Sequence, residues 1–338
     1  MASTWNDLDL LLDSPTKPAA TSAQRGTIID KTNFNASEDA AALRKAIEGL
    51  GTDEKTIITI LTGRTNKQRQ LICAAYHQAT GRTLKEDLKG DTHGDFEDLL
   101  VALITPANVF DSQEVIQAMK GLGTTDNTLI EIFASRTTQQ VKTLSDAYLA
   151  ETGKKVTLDL KTEVSGDYGQ ALLTLAEATR EDSAAVDMGK ARQEAKVLYE
   201  AGEKRWGTDE NKFIDILCHR SLAQLRQVLI EYKNISGKTL QESIESEMSG
   251  HLEDLLVAIV KCVKSVPAYM AERLHTCMKG LGTADSTLRR IMVSRSEIDM
   301  LDIKAEFKKM YGYSLHSALE SETSGEYRKT LLKICGGE

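Results

Sequence analysis

The sequence predicts an all-α protein built from four repeated helical units, and three observations carry that prediction. Proline is scarce: of 338 residues only four are proline, Pro15 and Pro18 near the N-terminus, then Pro106 and Pro267, and an interior proline breaks a helix. Glycine pairs before threonine recur as Gly49-Leu50-Gly51-Thr52, Gly121-Leu122-Gly123-Thr124 and Gly280-Leu281-Gly282-Thr283, with the variant Arg205-Trp206-Gly207-Thr208 between them. An acid three residues before a later glycine follows each time, as Asp91 with Gly94, Glu163 with Gly166, Glu247 with Gly250 and Glu322 with Gly325. That later glycine always lies 43 residues after the glycine preceding Thr. A spacing kept four times without a slip marks a repeat array.

Within a repeat the elements can be justified in order. Thr52, Thr124, Thr208 and Thr283, each with an acid two residues on, read as helix N-caps with a first turn matched to the dipole. The helix that follows carries apolar residues six, seven, nine and ten after the glycine: Ile57, Ile58, Ile60, Leu61; Leu129, Ile130, Ile132, Phe133; Phe213, Ile214, Ile216, Leu217; and, with one charge, Leu288, Arg289, Ile291, Met292. This is one buried helical stripe, not a strand. An arginine 13 after the glycine, Arg64, Arg136, Arg220 and Arg295, ties a helix end or loop by hydrogen bonds. Tyr76, Tyr148, Tyr232 and Phe307, then Leu88, Leu160, Ile244 and Leu319, form two further core columns.

The repeats begin 72, 84 and 75 residues apart, so the extra length falls in the polar stretch from Glu177 to Lys190. The expected division is a flexible N-terminal tail over 1–24, repeats over 25–105 and 106–177, a linker between halves over 178–190, and repeats over 191–264 and 265–338.

Composition excludes several classes. Lys and Arg total 42 against 50 Asp and Glu, for a net charge of −8, and no basic run is long enough to track a nucleic-acid backbone. No stretch approaches 18 apolar residues, and the N-terminus is acidic where a signal peptide is basic. Five cysteines without CxxC spacing predict reduced thiols in a cytosolic protein. In that compartment the sequons at Asn35 and Asn234 carry no meaning. Six histidines are scattered and no HExxH or GxSxG occurs, so no nucleophile and base can be assembled and no enzyme is expected. Gly237-Lys238-Thr239 ends like a phosphate-binding loop, but Tyr232 stands where its leading glycine belongs. No EF-hand loop is present.

A Gly-x-Gly turn is first a device for stopping a helix. Two features add to that reading. The tips are apolar every time, Leu50, Leu122, Trp206 and Leu281, which points to a surface that meets something greasy. A carboxylate, Asp91, Glu163, Glu247 or Glu322, follows each glycine by 40 residues. Carbonyl oxygens turned outward at a helix C-terminus beside one carboxylate make a hard, oxygen-only site suited to Ca²⁺. Such a set leaves coordination places for water or a phosphate oxygen. With one carboxylate per ion, affinity falls near ~10⁻⁴–10⁻³ M.

From about Arg25 to the C-terminus, the four G-x-G-T motifs with their downstream acid resemble the annexin family. The resemblance implies a curved all-α disc of about five helices per repeat in a right-handed superhelical arrangement, with Ca²⁺ loops on its convex side. It implies as ligands the carbonyls of Ile47, Gly49 and Gly51 with Asp91; Met119, Gly121 and Gly123 with Glu163; and Met278, Gly280 and Gly282 with Glu322. The longer third loop implies Gly202, Arg205 and Gly207 with Glu247. The first loop carries Glu48 where the second and fourth carry Lys120 and Lys279, a carboxylate in place of an ammonium beside a lipid phosphate. The implied function is reversible, Ca²⁺-dependent binding of anionic phospholipid membranes by a cytoplasmic monomer, with Trp206 turning toward the lipid and lateral assembly on the membrane. Membrane organisation, vesicle traffic or inhibition of phospholipases would follow from such binding.

Two alternatives stand beside it. Asp111, Glu114, Glu131, Arg136 and Arg290 resemble charges lining the centre of such a disc, where they serve either ion conduction or a buried salt-bridge network. The tail places Trp5, Leu8, Leu11 and Leu12 at helical spacings before Ser14-Pro15-Thr16-Lys17-Pro18, which suits a protein partner or docking on the core, modulated by phosphorylation at Ser14 or Thr16.

Overall fold

The computed structural model of the chain describes residues 24–49, 51–120, 123–204, 207–279 and 283–337, together with Trp5 and Leu8. Among them are nineteen α-helices and no strand. The first repeat holds α1 (Ala36–Ile47), α2 (Glu54–Thr62), α3 (Asn66–Thr80), α4 (Leu84–Asp91) and α5 (Gly94–Ile104). The second holds α6 (Ala107–Met119), α7 (Asp126–Ser135), α8 (Thr138–Thr152), α9 (Val156–Glu163) and α10 (Gly166–Ala176). In the third are α11 (Met188–Ala201), α12 (Glu210–His219), α13 (Leu222–Ser236), α14 (Leu240–Glu247) and the start of α15 (Gly250–Met278). Non-helical backbone at Ser265, two residues before Pro267, kinks α15 and divides it between the third and fourth repeats. The fourth repeat continues with α16 (Asp285–Arg295), α17 (Met300–Tyr311), α18 (Leu315–Glu322) and α19 (Gly325–Cys335). With the kinked helix counted as two, each repeat has five helices.

The helix boundaries follow local chemistry. Asn35, the asparagine of a sequon, caps α1 by accepting from the backbone amides of Ser37 and Glu38. Capping boxes open α3, α4, α8 and α14, as Thr65 with Gln68, Thr83 with Glu86, Thr137 with Gln140 and Thr239 with Glu242. The apolar stripe residues and both later columns are buried throughout. The single charge in the stripe, Arg289, reaches Asp98 at 3.1 Å.

The recurrent arginines do what their position predicts. Arg64 holds both oxygens of Asp39 at 2.6 and 2.8 Å, and Arg136 holds both oxygens of Asp111 at 2.7 and 2.8 Å. Arg220 pairs with Glu194. In the fourth repeat Met270 stands 25 residues before Arg295, where the first two repeats place their aspartate, and Arg295 turns instead to Asp299 at 2.8 Å.

The chain forms two compact bodies. One takes in Asp111–Tyr269 with Trp5 and Leu8, and thus the second and third repeats; the other takes in the residues up to Phe110 and those from Met270 onward, the first and fourth. In the first body α10 packs on α12; in the second, α2 and α5 pack on α19 and α16. The polar stretch 178–190 runs inside the first body, where the Glu181 amide donates to the His219 carbonyl at 2.8 Å. The tail departs from free chain at its two described residues. Trp5 and Leu8 are buried, and the ammonium groups of Lys261 and Lys264 lie 5.3 and 5.9 Å from the indole centroid, so apolar burial and cation–π attraction hold them.

Candidate functional site

Each glycine loop joins the first helix of a repeat to the second, and the structure closes it in the same way four times. The amide that follows the recurrent threonine donates back to a carbonyl near the end of the preceding helix: Asp53 to Ala46 at 2.9 Å, Thr125 to Ala118 at 2.7 Å, Asp209 to Ala201 at 2.9 Å and Ala284 to Cys277 at 2.8 Å. The third loop encloses one residue more than the others, as its sequence predicts. Ile47, Met119 and Met278 are the last helical residues before their loops, and Gly202 caps α11.

The loop glycines are required by backbone geometry. Gly51, Gly123 and Gly207 have φ of +87°, +96° and +76°, a region that L side chains avoid. A Cβ on Gly49 would stand 3.3 Å from the Gly51 carbonyl oxygen, so glycine there keeps that oxygen uncrowded. Leu50, Gly121, Leu122, Arg205, Trp206, Gly280, Leu281 and Gly282 lie outside the described residues.

Asp91, Glu163, Glu247 and Glu322 are the last residues of the eight-residue helices α4, α9, α14 and α18, and all four are exposed. Among the described residues none of these carboxylates forms an ion pair. Glu48, by contrast, is engaged by Arg44 at 2.8 Å, which offsets its charge at the first loop.

The threonines correct the sequence reading. The N-cap is the residue after each of them, Asp53, Thr125, Asp209 or Ala284. Thr52 and Thr283 instead donate to the backbone carbonyls of Asp91 and Glu322 at 3.4 and 3.2 Å, and Thr208 to the Glu247 carboxylate at 3.4 Å. In the second repeat Thr124 turns to Asp126 at 2.8 Å. In three repeats, then, the hydroxyl ties the glycine loop to the acid-bearing helix end. The constant 39 residues from threonine to acid is the sequence signal for this tie.

In the body made of the second and third repeats, Glu163 and Glu247 line one cavity of about 530 Å³ with Asp126, Asp167, Glu210 and His251. His251 stands 3.5 Å from Asp126 and 3.6 Å from Asp254. The Tyr168 hydroxyl is pushed well above its ordinary range, first by burial and then by the neighbouring Asp126 carboxylate. No group of three or more His, Cys, Asp or Glu able to hold a metal occurs among the described residues. An ion at these loops would therefore depend on carbonyl oxygens and one carboxylate.

Of the central charges, Asp111 is bound by Arg136 as described, and Glu131 and Arg290 are buried. Leu11, Leu12, Ser14 and Thr16 lie outside the described residues. No helix of the described residues is long and apolar enough to cross a membrane.

Comparison with known proteins gives a consistent result. The annexin family model matches residues 38–103, 110–175, 193–259 and 269–334. The chain is 56% identical to human (Homo sapiens) annexin A3 over 314 residues, covering 93% of this chain and 97% of that protein. It is similar to the solved structure of annexin III, with a TM-score of 0.92 and 55% identity over 94% of this chain and all of that one. A solved structure of calcium-bound annexin (Sm)1 is 38% identical, with a TM-score of 0.85 over 94% of each chain.

Proposed function

The chain belongs to the annexin family, and from that premise we propose that it binds anionic phospholipid membranes peripherally and reversibly when Ca²⁺ rises. The observation that carries this reading is the pairing of a loop that needs left-handed glycine with an exposed helix-terminal carboxylate that forms no ion pair among the described residues and whose helix end, in three repeats, is tied to the loop by threonine. The carbonyls of Ile47, Gly49 and Gly51 would hold the ion with Asp91, those of Met119, Gly121 and Gly123 with Glu163, those of Gly202, Arg205 and Gly207 with Glu247, and those of Met278, Gly280 and Gly282 with Glu322. Ca²⁺ supplies a hard positive charge with coordination places left for lipid phosphate oxygens.

The residues do the rest. Backbone closure, joined in three repeats by the threonine tie, holds the loop beside the acid-bearing helix end before binding, which lowers the ordering cost. Lys120 and Lys279 offer ammonium groups to phosphate. Leu50, Leu122, Trp206 and Leu281 add apolar burial at the interface. At a net charge of −8 the protein is repelled by an anionic leaflet until ions neutralise its loops. The reading is of a binding protein, not an enzyme, acting at the cytoplasmic face of membranes.

The test is sedimentation with phosphatidylserine vesicles across a Ca²⁺ titration, with chelator reversal and a phosphatidylcholine comparison. Ca²⁺-dependent, reversible pelleting with the anionic vesicles is expected. Absence of pelleting at saturating Ca²⁺ would reduce the loops to structural turns. For the third site, Glu247→Gln is expected to weaken the Ca²⁺ response of Trp206 fluorescence in a chain whose Trp5 has been replaced by Phe, while Glu163→Gln leaves that response largely in place. An unchanged Trp206 response in Glu247→Gln overturns the assignment of that site.

A further inference from the structure

The polar contacts beneath the glycine loops differ between repeats. In the first, the Tyr76 hydroxyl donates to Asp87 at 2.7 Å and Arg82 donates to the same carboxylate at 2.6 Å, a set contained in α3, α4 and the turn between them. The second has the same set, with Tyr148 on Asp159 at 2.7 Å and Lys154 at 3.8 Å. In the third repeat Ser243 stands where those aspartates stand, and Lys238 keeps the place of the base. The carboxylate there comes from the glycine loop itself. Glu203 accepts from the Lys238 ammonium on both oxygens at 3.1 Å and from the Ser243 hydroxyl at 3.1 Å, while the buried Tyr232 hydroxyl makes no hydrogen bond. The acid of the first loop, Glu48, is held instead by Arg44 of its own helix. In the fourth repeat the two positions carry Tyr313 and Ala318, which supply no charge.

The contact acts on the backbone of the proposed third site. Glu203 follows Gly202, and the Gly202 carbonyl shares one planar peptide unit with the Glu203 amide, so whatever fixes Glu203 fixes the direction of that oxygen. Gly202 leaves the helix with φ −114° and ψ −97°, and a Cβ on it would stand 3.2 Å from the Phe213 ring. The Lys204 amide donates to the Tyr199 carbonyl at 3.2 Å. Beyond these bonds the loop is one residue longer than the other three, so it has more conformations to lose when an ion orders it. Ser243 lies on α14, the helix that ends in Glu247. Glu203 thus ties the start of the loop to the helix that brings the carboxylate, as Thr208 ties its end to Glu247 at 3.4 Å.

We infer that Glu203 is a positioning residue of the third loop: its bonds to Lys238 and Ser243 fix the Gly202 carbonyl and hold the loop on α14, so that this site takes up Ca²⁺ at a lower concentration than the loop alone would. The inference rests on the reading of the loops as Ca²⁺ sites. Glu203 acts through Gly202 and is not itself a ligand.

The test is the Ca²⁺ midpoint of the Trp206 fluorescence change, read in the full chain carrying Trp5→Phe with phosphatidylserine vesicles at fixed concentration. Lys238→Met separates a latch from simple charge. Removing a cation near the loop would by Coulomb attraction alone favour Ca²⁺ and lower the midpoint, whereas freeing Glu203 raises it. The Lys238 side chain is 53% exposed, so its replacement is accommodated. Lys238→Met is expected to raise the midpoint about two- to tenfold, and Lys238→Arg, which keeps a cationic donor, to leave it in place. Glu203→Gln should raise it as well, and adding Lys238→Met to that variant should change little more, because the two residues act as a unit. A midpoint unchanged or lowered in Lys238→Met overturns the inference, as does full additivity of the two substitutions. If the parent chain still pellets with vesicles and its Trp206 still responds to Ca²⁺ in that case, the proposed function stands. If the parent chain neither pellets nor responds, the proposed function falls and the inference with it; pelleting without a Trp206 response removes the third site and the inference alone.

Discussion

Arg136 and Arg82 show how environment, not residue type, sets what a charge contributes. The Arg136–Asp111 pair is almost wholly removed from water, whereas Arg82 is exposed beside Asp87. Arg136→Leu leaves a buried aspartate without its guanidinium and is expected to cost about 3–5 kcal/mol, read as a lowered urea midpoint. Arg82→Ala is expected to cost less than about 1 kcal/mol in the same measurement. Gly51 presents a different residue-scale constraint. Its φ of +87° leaves open space for a Cβ but strains it, so Gly51→Ala should cost about 1–2 kcal/mol and weaken Ca²⁺ binding at the first loop.

The short helices that carry the loop carboxylates are capped unequally. Thr83 with Glu86 and Thr239 with Glu242 form capping boxes, Ser314 caps α18, and Lys155 opens α9 with no side-chain cap. Lys155→Thr with Leu158→Glu would build the missing box on exposed positions, and is expected to stabilise the protein by about 1 kcal/mol, seen as a rise in Tm. The existing boxes carry a pH dependence. Hydrogen bonds from the Thr83 and Thr239 amides hold Glu86 and Glu242 below the usual carboxylate range. A carboxylate bound more tightly as the anion when folded adds stability above its unfolded pKa and loses it as pH falls through the folded value. Amide exchange in α4 and α14 should therefore accelerate relative to α9 as pH drops below the ordinary glutamate range.

At the scale of the whole molecule, weak sites become useful by number. Four loops holding one Ca²⁺ each would add eight positive charges to a chain at −8, and simultaneous engagement multiplies their separate affinities. Replacing Asp91, Glu163, Glu247 and Glu322 together by the corresponding amides is expected to lose about a hundredfold or more in vesicle affinity at fixed Ca²⁺. A single replacement should only shift the Ca²⁺ midpoint and flatten the transition, which vesicle sedimentation will resolve. Equal loss from one replacement and from four would argue that one site alone carries the binding.

Helical class, the fourfold repeat, the buried stripe and the position of each loop carboxylate were all legible in the sequence, because periodic burial and left-handed glycine turns are local demands that each repeat states for itself. The same locality misled at Thr52: an acid two residues on looks like a cap, and only the fold brings the hydroxyl beside Asp91, 39 residues away. Arg64 announced a tether, but which carboxylate it meets depends on helix packing, as the switch to Asp299 at Arg295 makes plain. The grouping of the second repeat with the third and the first with the fourth is likewise absent from chain order. Local backbone and burial preferences are written residue by residue, whereas partners distant in sequence meet only through the packing of whole helices.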